Sequence, residues 1–280
     1  MKKRFLILLI PNLLLANNKA TLFGISARWE ANEPIVEQEI SNELSRMAIE
    51  GKEYLDPDCI WRKTNRGVCT NRFPRKTAEL EKMAELYQEE TQGYFDIRHQ
   101  KDKRDFGGMW QGYALDQLRS VRGEWLVDLS GDILFWDQAQ LSQPIIVTDP
   151  VFDEVEYARV EMPKGLVMAS VGKKLEGKIV TPSKLTRPQE PIHKVVLFAD
   201  PKMSAARLDA WSTAIIAGGV SVLRHLWTLE EFQGQWGYFF FDERGQGYVS
   251  SNVHEQKEGK TRILKINLGS TRPLRDIRER

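Results

Sequence analysis

Cysteine is nearly missing from this chain. Two residues in 280, Cys59 and Cys69, are too few for a disulfide-built scaffold, and without a flanking histidine they do not compose a metal site. In an exported chain the pair would staple a loop; as two buried free thiols it would serve packing alone, and the spacing leaves both readings open. An excess of one charge is missing too. The 40 Lys and Arg face 39 Asp and Glu, a formal charge of +1. That balance argues against general nucleic-acid binding, which is driven by neutralising phosphates. No apolar run is long enough to span a bilayer comfortably, so no stable transmembrane segment is expected. Internal repeats and low-complexity tracts are absent as well. What remains is a chain with 41% hydrophobic residues, long enough for one large domain or two small ones.

The first residues, "MKKRFLILLIPNLLLANNKA", have a pattern of their own. Lys2, Lys3 and Arg4 form a positive start, Phe5 to Ala16 an apolar stretch broken by Pro11, and small residues stand at Ala16 and Ala20. This is the pattern of a secretory signal peptide, and it predicts an exported, periplasmic protein. The expected organisation is a leader over residues 1–20, a folded domain over 21–270 and a charged tail over 271–280. Losing the leader removes four basic groups and no acidic one, which turns the formal charge to about −3.

Beyond the leader, "TLFGISARWEA" predicts an opening strand. Residues 35–52 place Ile35, Val36, Ile40, Leu44 and Met47 on one helical face, with Gly51 as a stop. Thr77 can cap a second helix from Ala78 to Thr91, ended by Gly93, and a third is expected from Met109 to Val121. Strands follow at "EWLVDLS", "DILFW", "PIIVTD", "GLVMAS" and "HKVVLFAD". A fourth helix covers Ala205 to Leu226, where Gly218 and Gly219 predict a bend or a close neighbour. "WGYFFFDERGQGYVSS" predicts a hairpin turning near Glu243 to Gly245, and "TRILKINL" a last strand. Helices first and antiparallel-looking strands after them predict an α+β domain.

Four stretches carry candidate chemistry. "DFGGMWQGYALD", Asp105 to Asp116, bunches Gly107, Gly108 and Gly112 at the entry to a helix, where backbone N–H groups can face an anion such as a phosphate. A plain tight turn is the competing reading. "LDAWSTAIIAGG" sets Asp209 and Thr213 one helical turn apart, so a carboxylate and a hydroxyl can converge on one hard cation. "TQGYFDIR" places Gly93 and Asp96 at a helix exit, and "LVDLSGDILFW" is a strand, a Ser-Gly-Asp turn and a strand.

In this order the four stretches resemble the ApbE-type FAD:protein FMN transferases. The family's T-D-G-A-F-D corresponds to Thr91–Asp96, its D-L-G-G-I-A-K-G-Y-A-V-D to Asp105–Asp116, its G-G-D-I to Ser130–Ile133, and its D-A-L-A-T to Asp209–Thr213. The resemblance extends over most of residues 21–250. It implies a single α+β domain with mixed and antiparallel sheets flanked by helices. It also implies Mg²⁺ as cofactor, FAD as substrate, and FMN attached through a phosphoester to a Thr or Ser of an exported flavoprotein acceptor. Asp209 would serve as catalytic residue and, with Thr213, as metal ligand. Gly107, Gly108, Gln111, Gly112, Tyr113, Asp116, Ser170 and Lys178 would hold the flavin nucleotide.

The chain departs from the family pattern at several of these places. Gln111 stands where a Lys is usual, Lys178–Pro182 where the family has H-I-I-D-P, and Ser170–Lys173 where it has S-G-D-Y. Only "IRHQKDKR" separates Asp96 from Asp105, where the family carries some dozens of residues, and His99 in that loop is the one histidine near the motifs. These departures imply an alternative: a catalytically impaired flavin-binding or scaffold protein of the same fold.

Overall fold

A computed structural model describes residues 18–22, 25–55, 74–98, 104–136, 145–148, 155–161, 166–172, 185, 188–229, 235–251, 253–258 and 261–268. Cys59, Cys69, His99, Lys178, the tail from 271 and most of the expected leader lie outside these residues, as does the side chain of Thr77.

The framework is an eight-stranded, wholly antiparallel sheet. Its strands are β1 (Asn18–Leu22), β2 (Ile25–Ala31), β3 (Trp125–Leu129), β4 (Asp132–Trp136), β7 (Leu166–Gly172), β8 (Ile192–Ala199), β9 (Trp236–Asp242) and β10 (Gly247–Val249), in that spatial order. A second sheet has the order β11 (Val253–Glu258), β12 (Thr261–Ile266), β6 (Glu156–Glu161), β5 (Ile145–Thr148), and β12 runs parallel to β6. The helices are α1 (Pro34–Leu55), α2 (Pro74–Glu90), α3 (Gly107–Leu118) and α4 (Ala205–Trp227).

The apolar runs of the central strands now have a physical reason. Successive side chains point to opposite faces. In β9, Trp236, Tyr238 and Phe240 pack under the helices, while Phe239 and Phe241 pack on the small sheet. In β8 the same division separates Val195, Leu197 and Ala199 from Val196 and Phe198. A sheet covered on both faces demands near-continuous hydrophobicity. The molecule is therefore three layers: helices, large sheet, small sheet.

Several boundaries differ from the sequence expectation. α1 continues through Gly51 to Leu55, and α2 starts at Pro74, a residue that suits a first helical position because its missing N–H would lack an intrahelical partner. The opening strand is a hairpin, β1 with β2, and β1 begins inside the stretch expected to be leader. Strands β6 and β11 had no counterpart in the sequence reading. Both are mostly polar because only one of their faces meets the core. Among the described residues, no helix is long and apolar enough to cross a membrane.

Candidate active site

Helices α3 and α4 cross at the centre of the helical layer, and glycine makes the crossing close. A Cβ on Gly112 would collide with the carbonyl of Ala205, and one on Gly108 would lie 2.8 Å from Thr213 Oγ1 and 2.9 Å from its Cγ2. The glycines expected ahead of the helix are thus its first residues and its middle. Two of the three are small because α4 lies against them.

This approach brings Asp209 and Thr213 onto the α3 backbone. Asp209 Oδ2 accepts a hydrogen bond from Gly112 N at 3.2 Å, and the Gln111 N–H also reaches the carboxylate. Thr213 Oγ1 donates to Gly108 O at 3.4 Å. Asp209 is only 4% exposed. Burial raises its carboxyl from the ordinary aspartate value to about 7, against the opposing pull of the Gly112 and Gln111 N–H groups. The Asp209 carboxylate, the Thr213 hydroxyl one turn further on and the Gly108 carbonyl that it bonds are hard oxygen donors, the chemistry that suits Mg²⁺. Among the described residues no three His, Cys, Asp or Glu side chains gather at one point. Carbonyl, water or phosphate oxygens would have to complete such a site.

The other sequence-singled residues are placed as follows. Gly107 N donates to Asp105 Oδ1 at 2.8 Å, so a carboxylate of the chain itself meets the N-terminus of α3. Gln111 Nε2 donates to Leu129 O at 3.2 Å, directing this side chain to the end of β3. Tyr113 is buried, 5.6 Å from the Trp110 ring between centroids. Tyr94 packs over Gly218, where a Cβ would come within 2.6 Å of its ring. Ser170 lies in β7 opposite Val196 of β8. The structure therefore joins Gly108, Gln111, Gly112, Asp209 and Thr213 in one place.

Asp116 is committed elsewhere. Its carboxylate accepts from Ser204 Oγ at 2.7 Å, Ala205 N at 2.9 Å and Ala206 N at 3.0 Å, capping α4 from the far end of α3. Arg119 pairs with it at 2.8 Å and reaches the carbonyls of Pro201 and Met203.

Sequence reasoning missed a second clamp on α4. Arg207 and Glu90 form a bidentate ion pair, with Arg207 Nε to Glu90 Oε2 at 2.7 Å, and Trp211 Nε1 donates to the same oxygen at 3.0 Å. A signal was there to be read. Glu90 ends α2 and Arg207 sits in the first turn of α4, and each charge opposes its helix dipole.

No protein-family model matches the sequence, and no curated protein matches it significantly. Solved structures do. The ApbE protein from Thermotoga maritima superposes with a TM-score of 0.62 at 17% identity, covering 82% of this chain and 95% of that one. The flavin transferase ApbE from Vibrio cholerae gives 0.60 at 15% identity, over 84% and 96%. Over most of its length this chain therefore has an ApbE-like fold, at a sequence identity of 15–17%.

Proposed function

We propose that the chain is an exported, Mg²⁺-dependent FAD:protein FMN transferase, which joins FMN through its phosphate to a Thr or Ser of an exported flavoprotein and releases AMP. The observation that carries this reading is the convergence of Asp209 and Thr213 on Gly108 and Gly112. Asp209, Thr213 and a carbonyl of the Gly107–Gln111 stretch would hold the cation. When bound, Mg²⁺ supplies positive charge against the pyrophosphate oxygens of FAD. Burial alone raises the Asp209 carboxyl to about 7, and a bound cation would hold it ionised, the form that can take the proton of the acceptor hydroxyl as the acceptor oxygen attacks phosphorus. The close α3–α4 crossing excludes water from this carboxyl. FAD, Mg²⁺, the protein and an exported flavoprotein fragment, followed by intact mass, test the proposal: an FMN adduct on the fragment supports it, and an unmodified fragment with bound FAD refutes it.

One observation favours the alternative, a flavin-binding or scaffold protein with impaired transfer. Gln111 brings an amide where the resembled family has an ammonium, and that amide is spent on Leu129 O. A neutral donor stabilises developing phosphate charge less than a cation does, by about 1–2 kcal/mol. The Gln111→Lys variant therefore separates the two readings. Faster transfer at similar FAD affinity indicates an attenuated enzyme, whereas no transfer and no FAD binding in either form indicates a scaffold.

A further inference from the structure

We propose that Glu90 is a positioning residue that sets the rotation of α4 and thereby aims Asp209 and Thr213 at α3. The inference deepens the reading above and rests on it for its functional meaning, but its geometry stands alone. Helix residues two apart point about 200° away from each other, and residues four apart share a face. Arg207 and Trp211 therefore form one face of α4, and Asp209 and Thr213 the other. Glu90 grips the first face through two oxygens: the bidentate pair to Arg207 and the Trp211 indole N–H. The guanidinium also lies over the Trp211 ring, 4.9 Å from its centroid.

The opposite face is restrained by the functional side chains themselves, through a 3.2 Å bond from Gly112 N to Asp209 and a long 3.4 Å bond from Thr213 to Gly108 O. Gly108 and Gly112 present α4 with a smooth surface, which allows close approach without selecting a rotation. The Asp116 cap acts along the helix axis, at its end. The two turns carrying Asp209 and Thr213 are thus held sideways from two directions: by their own bonds to the α3 backbone, and on the other face by the Glu90 grip. Its charges are placed against both helix dipoles and are largely withdrawn from solvent, at 13% and 14% exposure. Apolar residues of similar volume are commonly as good for stability or better, so a geometric role explains the pair where stability does not. The end of α2 is itself well defined for this task. Gly93 N bonds Gln88 O at 2.7 Å and Gln92 N bonds Glu89 O at 3.1 Å, a Schellman closure that fixes Glu90 in the last turn. His225 adds a contact from the far end of α4 to Glu90 O at 3.0 Å.

The test compares wild type with the double variant Glu90→Met/Arg207→Met and with Glu90→Gln. Thermal melting reports stability, amide hydrogen exchange reports Gly112 N–H relative to Val196 N–H in β8, and calorimetry with Mn²⁺ alone reports the cation site. The double variant should still fold, because both charges leave together and the Trp211 N–H is the one donor that loses its Glu90 acceptor, while Gly112 exchange rises about tenfold relative to Val196 and Mn²⁺ binding weakens by a similar factor. Glu90→Gln, which keeps an acceptor for Trp211, should fall between. A folded double variant or Glu90→Gln with the wild-type exchange ratio overturns the proposal. Should the double variant fail to fold, the ratio in Glu90→Gln decides. Wild type that binds no Mn²⁺ would count against the cation reading, while the Gly112 ratio still judges the clamp.

Discussion

Replacing Asp209 with Asn should make the protein less sensitive to alkaline pH, and the structure sets the size of the effect. The Asp209 carboxyl is buried and its pKa is raised from 3.8 to about 7, first by desolvation. Because the folded value lies above the unfolded one, the folded state holds a proton that the unfolded state has released. No penalty exists well below 3.8, where both forms are protonated. The penalty grows as the unfolded chain ionises and is complete once the pH exceeds 7. Three pKa units correspond to at most about 4 kcal/mol, an upper bound because relaxation and water entry soften burial. The amide introduced by Asp209→Asn would keep an acceptor for the Gly112 N–H and carry no charge. Urea denaturation from pH 4.5 to 8.5 in chelator should therefore show the variant gaining on wild type as pH rises, by up to about 3 kcal/mol across the window. Mg²⁺ added at pH 8 should recover stability in wild type and not in the variant, since a ligand of the folded state stabilises by mass action. A stability difference that is flat with pH would refute the argument that burial of Asp209 outweighs its bonds from the Gly112 and Gln111 N–H groups.

Other perturbations test the surrounding framework. Gly112→Ala drives a methyl into the Ala205 carbonyl and should cost about 1–3 kcal/mol or more, whereas Gly108→Ala meets Oγ1, Cγ2 and Cβ of the Thr213 side chain rather than backbone, at longer distances, and should cost less. Melting curves of the two variants read the order directly. Asp116→Ala strips the cap from Ser204, Ala205 and Ala206 and should lower stability by about 1–3 kcal/mol in chemical denaturation, with the loss independent of added FAD. N-terminal sequencing of exported protein should find cleavage after Ala16. Cleavage after Ala20 would remove Asn18, Lys19 and Ala20 from their pairing with Trp29, Arg28 and Ala27. Recovery of intact Met1 would count against export.

Much of the architecture was legible in the chain. The runs "WLVDL", "DILFW" and "WGYFFF" read as strands from their aromatic and branched residues, although only the packing shows that both their faces are covered, and Asp209 and Thr213 share a helix face by spacing alone. Strands β6 and β11 were not legible, because "EYARVE" and "VHEQKE" bury a single face and otherwise read as solvated loop. The purpose of the Gly-rich stretch was hidden for another reason. Glycine can serve a ligand or a neighbouring helix, and only the position of Ala205 and Thr213 shows that Gly112 and Gly108 serve the helix. The partners of α4 were beyond local reading as well: Glu90 and Arg207 stand 117 residues apart, and Asp116 and Ser204 are separated by 88. Sequence by itself determined which residues could carry the chemistry, since spacing and side-chain type are local properties. Tertiary structure decided which way they face and how dry they are, because rotation of a helix and burial of a carboxylate depend on what packs against them from distant parts of the chain.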